Sequence, residues 1–456
     1  MSIFALEPMR NYFQAAVSRD LSFRRQQLKA LKNSIVRHEE SIYDALRKDL
    51  GKGKEEAYAT EIGLTLIEIN LALQSLRKWS RPVRVSTNIL NLPSSSRIYY
   101  EPKGVVLVIA PWNYPFQLSM IPLLGAIAAG NSVVLKPSEL APATATLLEK
   151  IIGEAFPKEY VRVVPGEGSI VVPALMKEFR FDHIFYTGST SVGKSIYKMA
   201  ASDLIPVTLE LGGKSPSVVE ADANLEIAAR RIALGKFINA GQTCVAPDYV
   251  LVQESVKTAF VEKLKQVITR FYGEQPSESD SYGRIINAKQ FDRLISLLNK
   301  GETLIGGEHD HSKLFIAPTV LTGIGPEDEI MREEIFGPIL PVLGFVDRKD
   351  ALSIIDLNPN PLAFYIFTED AKRGKEWIDS LAFGGGCINN AAYQFTNPHF
   401  SFGGIGKSGI GGYHGKSSFL CFSNAKSILK TPSWFDPDFR YPPFKGRLKL
   451  FKWLIK

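Results

Sequence analysis

The spacing of apolar positions changes character several times along the chain. Leu28, Leu31 and Ile35, and later Leu64, Ile67 and Leu71, recur every three or four residues with polar neighbours, which predicts helices from residue 1 to about 78. Pro82 closes this arm. The segment Val83 to Tyr100 is polar, then β-branched and aromatic, and predicts hairpin strands outside the main core. From Gly104 the pattern shifts to short unbroken runs: Val105 to Ile109, Ser132 to Leu135, Val161 to Val164 and His183 to Tyr186. Between them lie helical stretches such as Ala143 to Ala155, with Leu147, Leu148, Ile151 and Ile152 on one face. Apolar strands alternating with helices predict a parallel sheet covered on both faces. A second alternation follows Glu210: a strand at Ser217 to Val219, a helix at Leu225 to Phe237, a strand at 248–252 and a helix at 255–271, continuing to Asn390. The expected class is α/β, with two Rossmann-type domains and a small β-strand arm. The expected boundaries are 1–82 with 104–210, then 211–412, with strands at 83–103 and 413–430 and an extension at 431–456.

Length and composition narrow the function. A chain of 456 residues exceeds one ordinary core, and 45% hydrophobic with 22% charged residues is the balance of a globular protein. The three cysteines, Cys244, Cys387 and Cys421, form no C-x-x-C pair, and the six histidines form no H-E-x-x-H pattern. Neither a disulfide framework nor a metal site is expected, and a reducing compartment is. Met1 to Arg10 lacks the pattern of a signal peptide, and Val105 to Leu135 is interrupted by Pro111, Asn113, Pro115 and Gln117, so a cytoplasmic protein without a membrane span is expected. Of the net charge of +7, the tail positions Lys445, Arg447, Lys449, Lys452 and Lys456 supply five, which argues against nucleic-acid binding.

Candidate chemistry centres on Asn239-Ala240-Gly241-Gln242-Thr243-Cys244, at the end of the Leu225 to Phe237 helix. A glycine permits a sharp bend that presents the sulfur at a loop tip; without further context such a cysteine is a small core residue. Glu210 precedes Gly212-Gly213, and Asn113 stands between Pro111 and Pro115, both also compatible with ordinary turns. Gly188-Ser189 follows the strand ending at Tyr186 and, with Gly193, opens a helix whose free N–H groups suit a phosphate. The usual G-x-G-x-x-G is missing. Lys136-Pro137-Ser138-Glu139 lies at the C-terminal edge of another strand, where open α/β sheets bind ligands.

The segments Pro111-Trp112-Asn113-Tyr114-Pro115, Leu209-Glu210-Leu211-Gly212-Gly213-Lys214, the cysteine loop and Glu333-Glu334-Ile335-Phe336-Gly337-Pro338 together resemble the signatures of the NAD(P)-dependent aldehyde dehydrogenase superfamily. The resemblance covers roughly residues 100 to 425. It implies an aldehyde dehydrogenase-like fold with residues 1–82 and 104–210 binding cofactor, 211–412 catalytic, and the strand segments serving oligomerisation. It implies oxidation of aldehydes to acids with NAD, NADP use staying open. Cys244 would be the nucleophile, with a few per cent thiolate near neutrality; Asn113 and the Cys244 N–H would hold the oxyanion, and Glu210 would activate water against the thioester. Lys136 and Glu139 would contact the adenosine ribose, Gly188, Ser189 and Gly193 the pyrophosphate, and Trp112, Glu334 and Phe336 the nicotinamide side. Tyr114, Glu61, Thr65 and Thr243, with the segment Tyr393 to Phe400, would line the aldehyde channel.

Phe402-Gly403-Gly404, Tyr413-His414-Gly415 and Arg440-Tyr441-Pro442-Pro443 are similar to the class 3, fatty-aldehyde branch, which implies a homodimer and a medium- or long-chain aliphatic, apocarotenoid or aromatic aldehyde. An acylating enzyme of the same fold, or a non-catalytic homologue, is the alternative. In the tail, a helix over Phe444 to Lys456 would place Lys445, Lys449, Lys452 and Lys456 within about a 60° stripe, with Leu448, Leu450, Phe451, Trp453, Leu454 and Ile455 over most of the remaining circumference and Arg447 the one charge among them. That pattern points to peripheral attachment to an anionic membrane, or to packing on the protein itself.

Overall fold

The computed structural model describes residues 4–455; Met1 to Ile3 and Lys456, including the last lysine of the expected stripe, lie outside the described residues. A six-stranded sheet runs in the order Gly409–Ile410, Val207–Glu210, His183–Thr187, Val105–Ile109, Ser132–Lys136, Val161–Val163. All neighbours are parallel except the two-residue edge strand. Side chains alternate across it as the unbroken apolar runs require. Val106, Val108, Val133 and Leu135 pack under the helices Leu21–Arg37, Gly63–Trp79 and Gln117–Ala129, while Val105, Leu107, Ile109 and Val134 face Leu175, Ile196 and Ala200 on the other side. Each such side chain, fully buried, is worth about 1.5–3 kcal/mol.

A second, seven-stranded sheet has the order Glu302–Ile305, Thr319–Thr322, Ile339–Phe345, Tyr249–Gln253, Pro216–Val219, Ala363–Phe367, Gly385–Ile388, with only the first strand antiparallel. The helix Leu225–Phe237 falls where its apolar spacing places it, and the following strand and helix, Tyr249–Gln253 and Lys257–Tyr272, lie within two residues of expectation. Both α/β layers are therefore present.

Several expectations are corrected. Gly409–Ile410, assigned by sequence to the second domain, pairs with Leu209 and Glu210 and so completes the first sheet. Residues 413–422 are not a strand: Gly415–Cys421 is a helix whose Phe419, together with Phe422, enters the first core. The arm itself consists of Val83–Val85, Ser95–Pro102 and Ser423–Lys430, antiparallel throughout. In Gly63–Trp79 the inward face is Thr65, Glu68, Ile69, Ala72 and Leu76, while Ile67 is exposed. Apolar spacing misses that face because Glu68 is buried with a partner, accepting from Gly415 N at 2.9 Å and meeting His414 Nδ1 at 2.8 Å. The tail helix is only Leu448–Leu454, and its Phe451 turns onto Phe444 with ring centres 5.7 Å apart, leaving Leu448, Trp453 and Ile455 exposed. No helix among the described residues is long and apolar enough to cross a membrane.

The first sheet places the site. The chain leaves Val105–Ile109 toward Ser132–Lys136 on one side and later returns to His183–Thr187 on the other. The crevice at that reversal, beyond the carboxyl ends of the strands, is where such sheets receive ligands.

Candidate active site

Asn113, Lys136, Gly188 and Glu210 all sit at or just beyond the C-terminal ends of strands in the first sheet, and Cys244 precedes the strand Tyr249–Gln253 of the second. The cysteine loop bends through left-handed backbone: Asn239, Ala240 and Gly241 have φ of 53°, 50° and 74°. A Cβ on Gly241 would lie 2.2 Å from the Gly337 oxygen, so only glycine allows this approach to the 333–338 segment. Gln242 fixes the bend by accepting from Ile286 N at 3.0 Å and donating to Arg284 O at 2.9 Å. Asn113 Nδ2 donates to Gln242 O at 3.0 Å, and the Tyr114 and Thr243 hydroxyls meet at 2.6 Å. The Pro111–Pro115 segment and the cysteine loop thus come together as the sequence expects.

The electrostatics of the thiol differ from expectation. Burial pushes Cys244 up to about 12, with the Glu334 and Glu210 carboxylates adding to the shift against the N–H groups of Cys244 and Val245. That shift favours the thiol over the thiolate, against the few per cent of thiolate expected near neutrality. Attack therefore has to move that proton off the sulfur. Glu210 lies close enough for its charge to act on the sulfur; its carboxyl is 1% exposed, neither oxygen has a hydrogen-bond partner, and burial holds its pKa well above the usual range. A buried carboxyl without partners is costly in a structural role and suits proton transfer with a group or water that enters the site.

Glu334 shares the pocket. Burial, then the charge of Asp248, raises it to about 8. A Cβ on Gly212 would fall 1.9 Å from Glu334 Oε2, which explains the glycine beside Glu210. Phe336, at φ 50°, packs edge-on against Trp112 with ring centres 5.3 Å apart. Sequence reading missed what holds this segment. Lys214 Nζ stands 2.6 Å from Asp248 Oδ2 and donates to Ile330 O and Glu333 O, while Asp248 Oδ1 accepts from Ile335 N at 3.0 Å. Lys236, fully buried, is 4.0 Å from Asp248 Oδ1 and lowered to about 8 by burial. The signal was a lysine within an otherwise buried helix face.

Farther out, Lys136 is paired with Glu139, whose other oxygen accepts from Gly168 N at 3.1 Å. Burial pushes the Glu139 carboxyl up, but the Lys136 ammonium and two backbone N–H groups outweigh it and hold the pKa low. Beside them is a pocket of about 220 Å³ lined by Pro137, Glu139, Thr146, Glu149 and Pro165. Ser189 caps the helix Thr190–Ser202, and Gly188 N donates to Glu210 O at 3.0 Å. An ionised carboxylate, a lysine, a lined pocket and a capped helix end along one sheet edge fit a dinucleotide.

Glu61 and Thr65, expected in the channel wall, are fully buried and committed elsewhere: Glu61 pairs with Lys52 at 2.5 Å, and Thr65 donates to Glu61 O at 2.7 Å. Tyr393 and Phe400 are exposed. Their segment reaches the cysteine loop through Tyr365, whose hydroxyl donates to Val245 O at 2.6 Å and accepts from Gln394 Nε2 at 3.2 Å. Among the described residues no cluster of three or more histidine, cysteine or acidic side chains could hold a metal ion.

Residues 4–428 match the family described as the aldehyde dehydrogenase family. The chain is 45% identical over 447 residues to 4,4'-diaponeurosporen-aldehyde dehydrogenase of Staphylococcus aureus, covering 98% of this chain and 97% of that one. It is 43% identical to aldehyde dehydrogenase family 3 member A2 of Macaca fascicularis, covering 96% and 90%. A solved structure of Staphylococcus aureus AldH in its substrate-bound state superposes with a TM-score of 0.95 at 44% identity, covering 99% and 98%. Two more distant structures hold cofactor: GapN of Methanocaldococcus jannaschii with NADP (TM-score 0.86, 27% identity, covering 94% and 93%) and a Bacillus cereus aldehyde dehydrogenase with NAD+ (0.85, 28%, covering 94% and 88%).

Proposed function

The chain belongs to the aldehyde dehydrogenase family and oxidises aldehydes to carboxylic acids with NAD(P)+; on that premise we propose that Cys244 attacks the aldehyde carbon and Glu210 serves the hydrolysis that follows. The observation that carries this reading is the buried, unpartnered Glu210 carboxyl acting electrostatically on the Cys244 thiol. The thiol proton passes to water in the pocket as sulfur bonds to carbon, giving a thiohemiacetal whose oxyanion the Asn113 amide and the Cys244 N–H would hold. Each such donor contributes roughly 3 kcal/mol to the transition state. Bound NAD(P)+ would supply the hydride acceptor for the substrate carbon, leaving a thioester on Cys244. Glu210 then takes a proton from water as it attacks the thioester, and acid is released from the sulfur. Lys136, Glu139, Gly188, Ser189 and Gly193 would hold the adenosine and pyrophosphate, and Trp112, Glu334 and Phe336 the nicotinamide ribose. The ionised Glu139 opposes a 2′-phosphate and favours NAD.

The substrate we propose is a medium- or long-chain apolar aldehyde, as in the fatty-aldehyde branch. Support comes from the aromatic segment Tyr393 to Phe400 beside the cysteine loop and from similarity to a protein named for an apocarotenoid aldehyde. With each buried methylene worth about 0.8 kcal/mol, kcat/KM should rise roughly fourfold per added carbon along a series of linear aldehydes. The series is run with both cofactors; a profile that is flat or falls beyond propanal rejects the apolar channel.

Exposed Val83, Val85, Ile428 and Leu429 on the strand arm support a homodimer. The tail supports peripheral attachment to anionic lipid through Lys449, Lys452, Leu448, Trp453 and Ile455, with Phe451 now excluded from the lipid-facing set. Each lysine near such a surface contributes about 1 kcal/mol. The full chain should co-sediment with anionic liposomes at low salt, and a version truncated after Tyr441 should not. Equal recovery of both in the supernatant assigns the tail to the protein's own surface.

A further inference from the structure

Lys52 carries none of the groups assigned to the reaction, yet its ammonium touches the segment that presents one. Its side chain and that of Glu61 are wholly excluded from solvent. Lys52 Nζ stands 2.5 Å from Glu61 Oε1, donates to the Asn113 main-chain oxygen at 3.3 Å, and lies 4.0 Å from the centre of the Tyr114 ring. Glu61 Oε2 accepts from Phe116 N at 2.9 Å and Gln117 N at 3.1 Å, at the start of the helix Gln117–Ala129. Glu61 itself is part of a π-helical turn, Tyr58–Ile62, a winding that is rare and is found where a side chain must be aimed. The Asn113 carbonyl is held from a second side by Asn239 Nδ2 at 2.8 Å, and Asn239 N donates to Glu56 Oε1 at 2.8 Å.

A buried ion pair is a poor source of stability, because desolvating two charges offsets their attraction, and two apolar side chains of similar volume would pack as well. What apolar residues could not supply is direction: a donor on the Asn113 carbonyl and an acceptor for two N–H groups three and four residues later. Both ends of the 113–117 segment are fixed by one pair. We propose that Lys52, oriented by Glu61, is a positioning residue for aldehyde oxidation, holding the main chain of Asn113 so that its side-chain amide meets the oxyanion formed on Cys244. This rests on the oxyanion role given to Asn113 above.

The test uses the full-length enzyme as Lys52→Met, Asn113→Ala and the double variant, with two measurements on each. One is the rate of the first-turnover burst with aldehyde and cofactor. The other is the rate of Cys244 alkylation by iodoacetamide, followed by mass spectrometry, in which no oxyanion forms. Lys52→Met should slow the burst roughly 10- to 100-fold, as a misplacement of about 1 Å does. Alkylation and cofactor Kd should stay within about twofold of the parent, and Lys52→Met added to Asn113→Ala should slow the burst no further. An unchanged burst in Lys52→Met, a parallel loss of alkylation, or fully additive slowing overturns the proposal. If Asn113→Ala leaves the burst intact, it is the oxyanion reading that fails; if Asn113→Ala slows it and Lys52→Met does not, positioning alone fails. Should Lys52→Met not fold, Lys52→Met with Glu61→Gln removes both charges together. That variant should recover the parent's Tm yet keep the slow burst, and recovery of both would assign the pair to stability only.

Discussion

Cys244→Ala is expected to reduce aldehyde oxidation by on the order of 10⁴-fold or more while leaving cofactor affinity within about twofold. The sulfur is the group proposed to bond to the aldehyde carbon and later release it as acid. The residues proposed to hold the dinucleotide, from Lys136 to Gly193 along the edge of the first sheet and Trp112, Glu334 and Phe336 beside the pocket, do not include the thiol. Cys244→Ala removes a single sulfur atom, so it leaves no large cavity. Steady-state formation of acid and reduced cofactor, with cofactor titration in parallel, checks both halves of the expectation. Oxidation at a tenth or more of the parent rate would transfer the nucleophile elsewhere; lost cofactor binding would mean that the loop had collapsed.

Glu210→Gln should separate the two halves of the turnover. The thioester forms before water must be activated, so a first-turnover burst of reduced cofactor should survive while the steady rate falls roughly 100-fold. The replacement keeps the shape of a carboxyl that burial already favours in its protonated form. The pH profile gives an independent sign. Because burial raises the pKa, loss of the proton is shifted to higher pH than for an ordinary carboxyl, and the parent's hydrolysis should speed up as pH increases until the carboxyl has lost its proton. In the glutamine variant that rise should be absent. If burst and steady state decline together, Glu210 also removes the thiol proton, a role consistent with a sulfur that burial pushes up to about 12.

The residues that carry regular structure were legible in the sequence because one physical variable dominates there. Val105 to Ile109 is apolar at every position and becomes a strand buried on both faces; Leu225 to Phe237 keeps helical spacing and becomes a helix with those bounds. Loop glycines were legible too: Gly212 and Gly241 are required by close approaches that a Cβ would block. What escaped was decided by pairing across long stretches of chain. A two-residue strand at Gly409–Ile410 has no periodicity to read. Glu68 and Lys52 look like solvated charges, and Glu61 like a channel residue, until His414, Asn113 and Phe116 are brought to them by the fold. The assigned cysteine, glutamate and asparagine stood out by resemblance, whereas their proton states depend on burial and on each other, which a linear string does not express.

The return of residues 402–430 to the first lobe sets an order of assembly. The second lobe closes with its last strand, Gly385–Ile388, but the first still lacks the edge beside Glu210, the helix bearing Phe419 and the longest pairing of the arm. Ser423–Lys430 must find Ser95–Pro102 across more than three hundred intervening residues, a contact of the slow, entropically expensive kind. During synthesis the segment begun first is therefore finished last. The residue assigned to water activation, already paired with Thr187, gains its second backbone neighbour, Gly409, only once nearly the whole polypeptide has been made, so a prematurely ended chain lacks that catalytic edge.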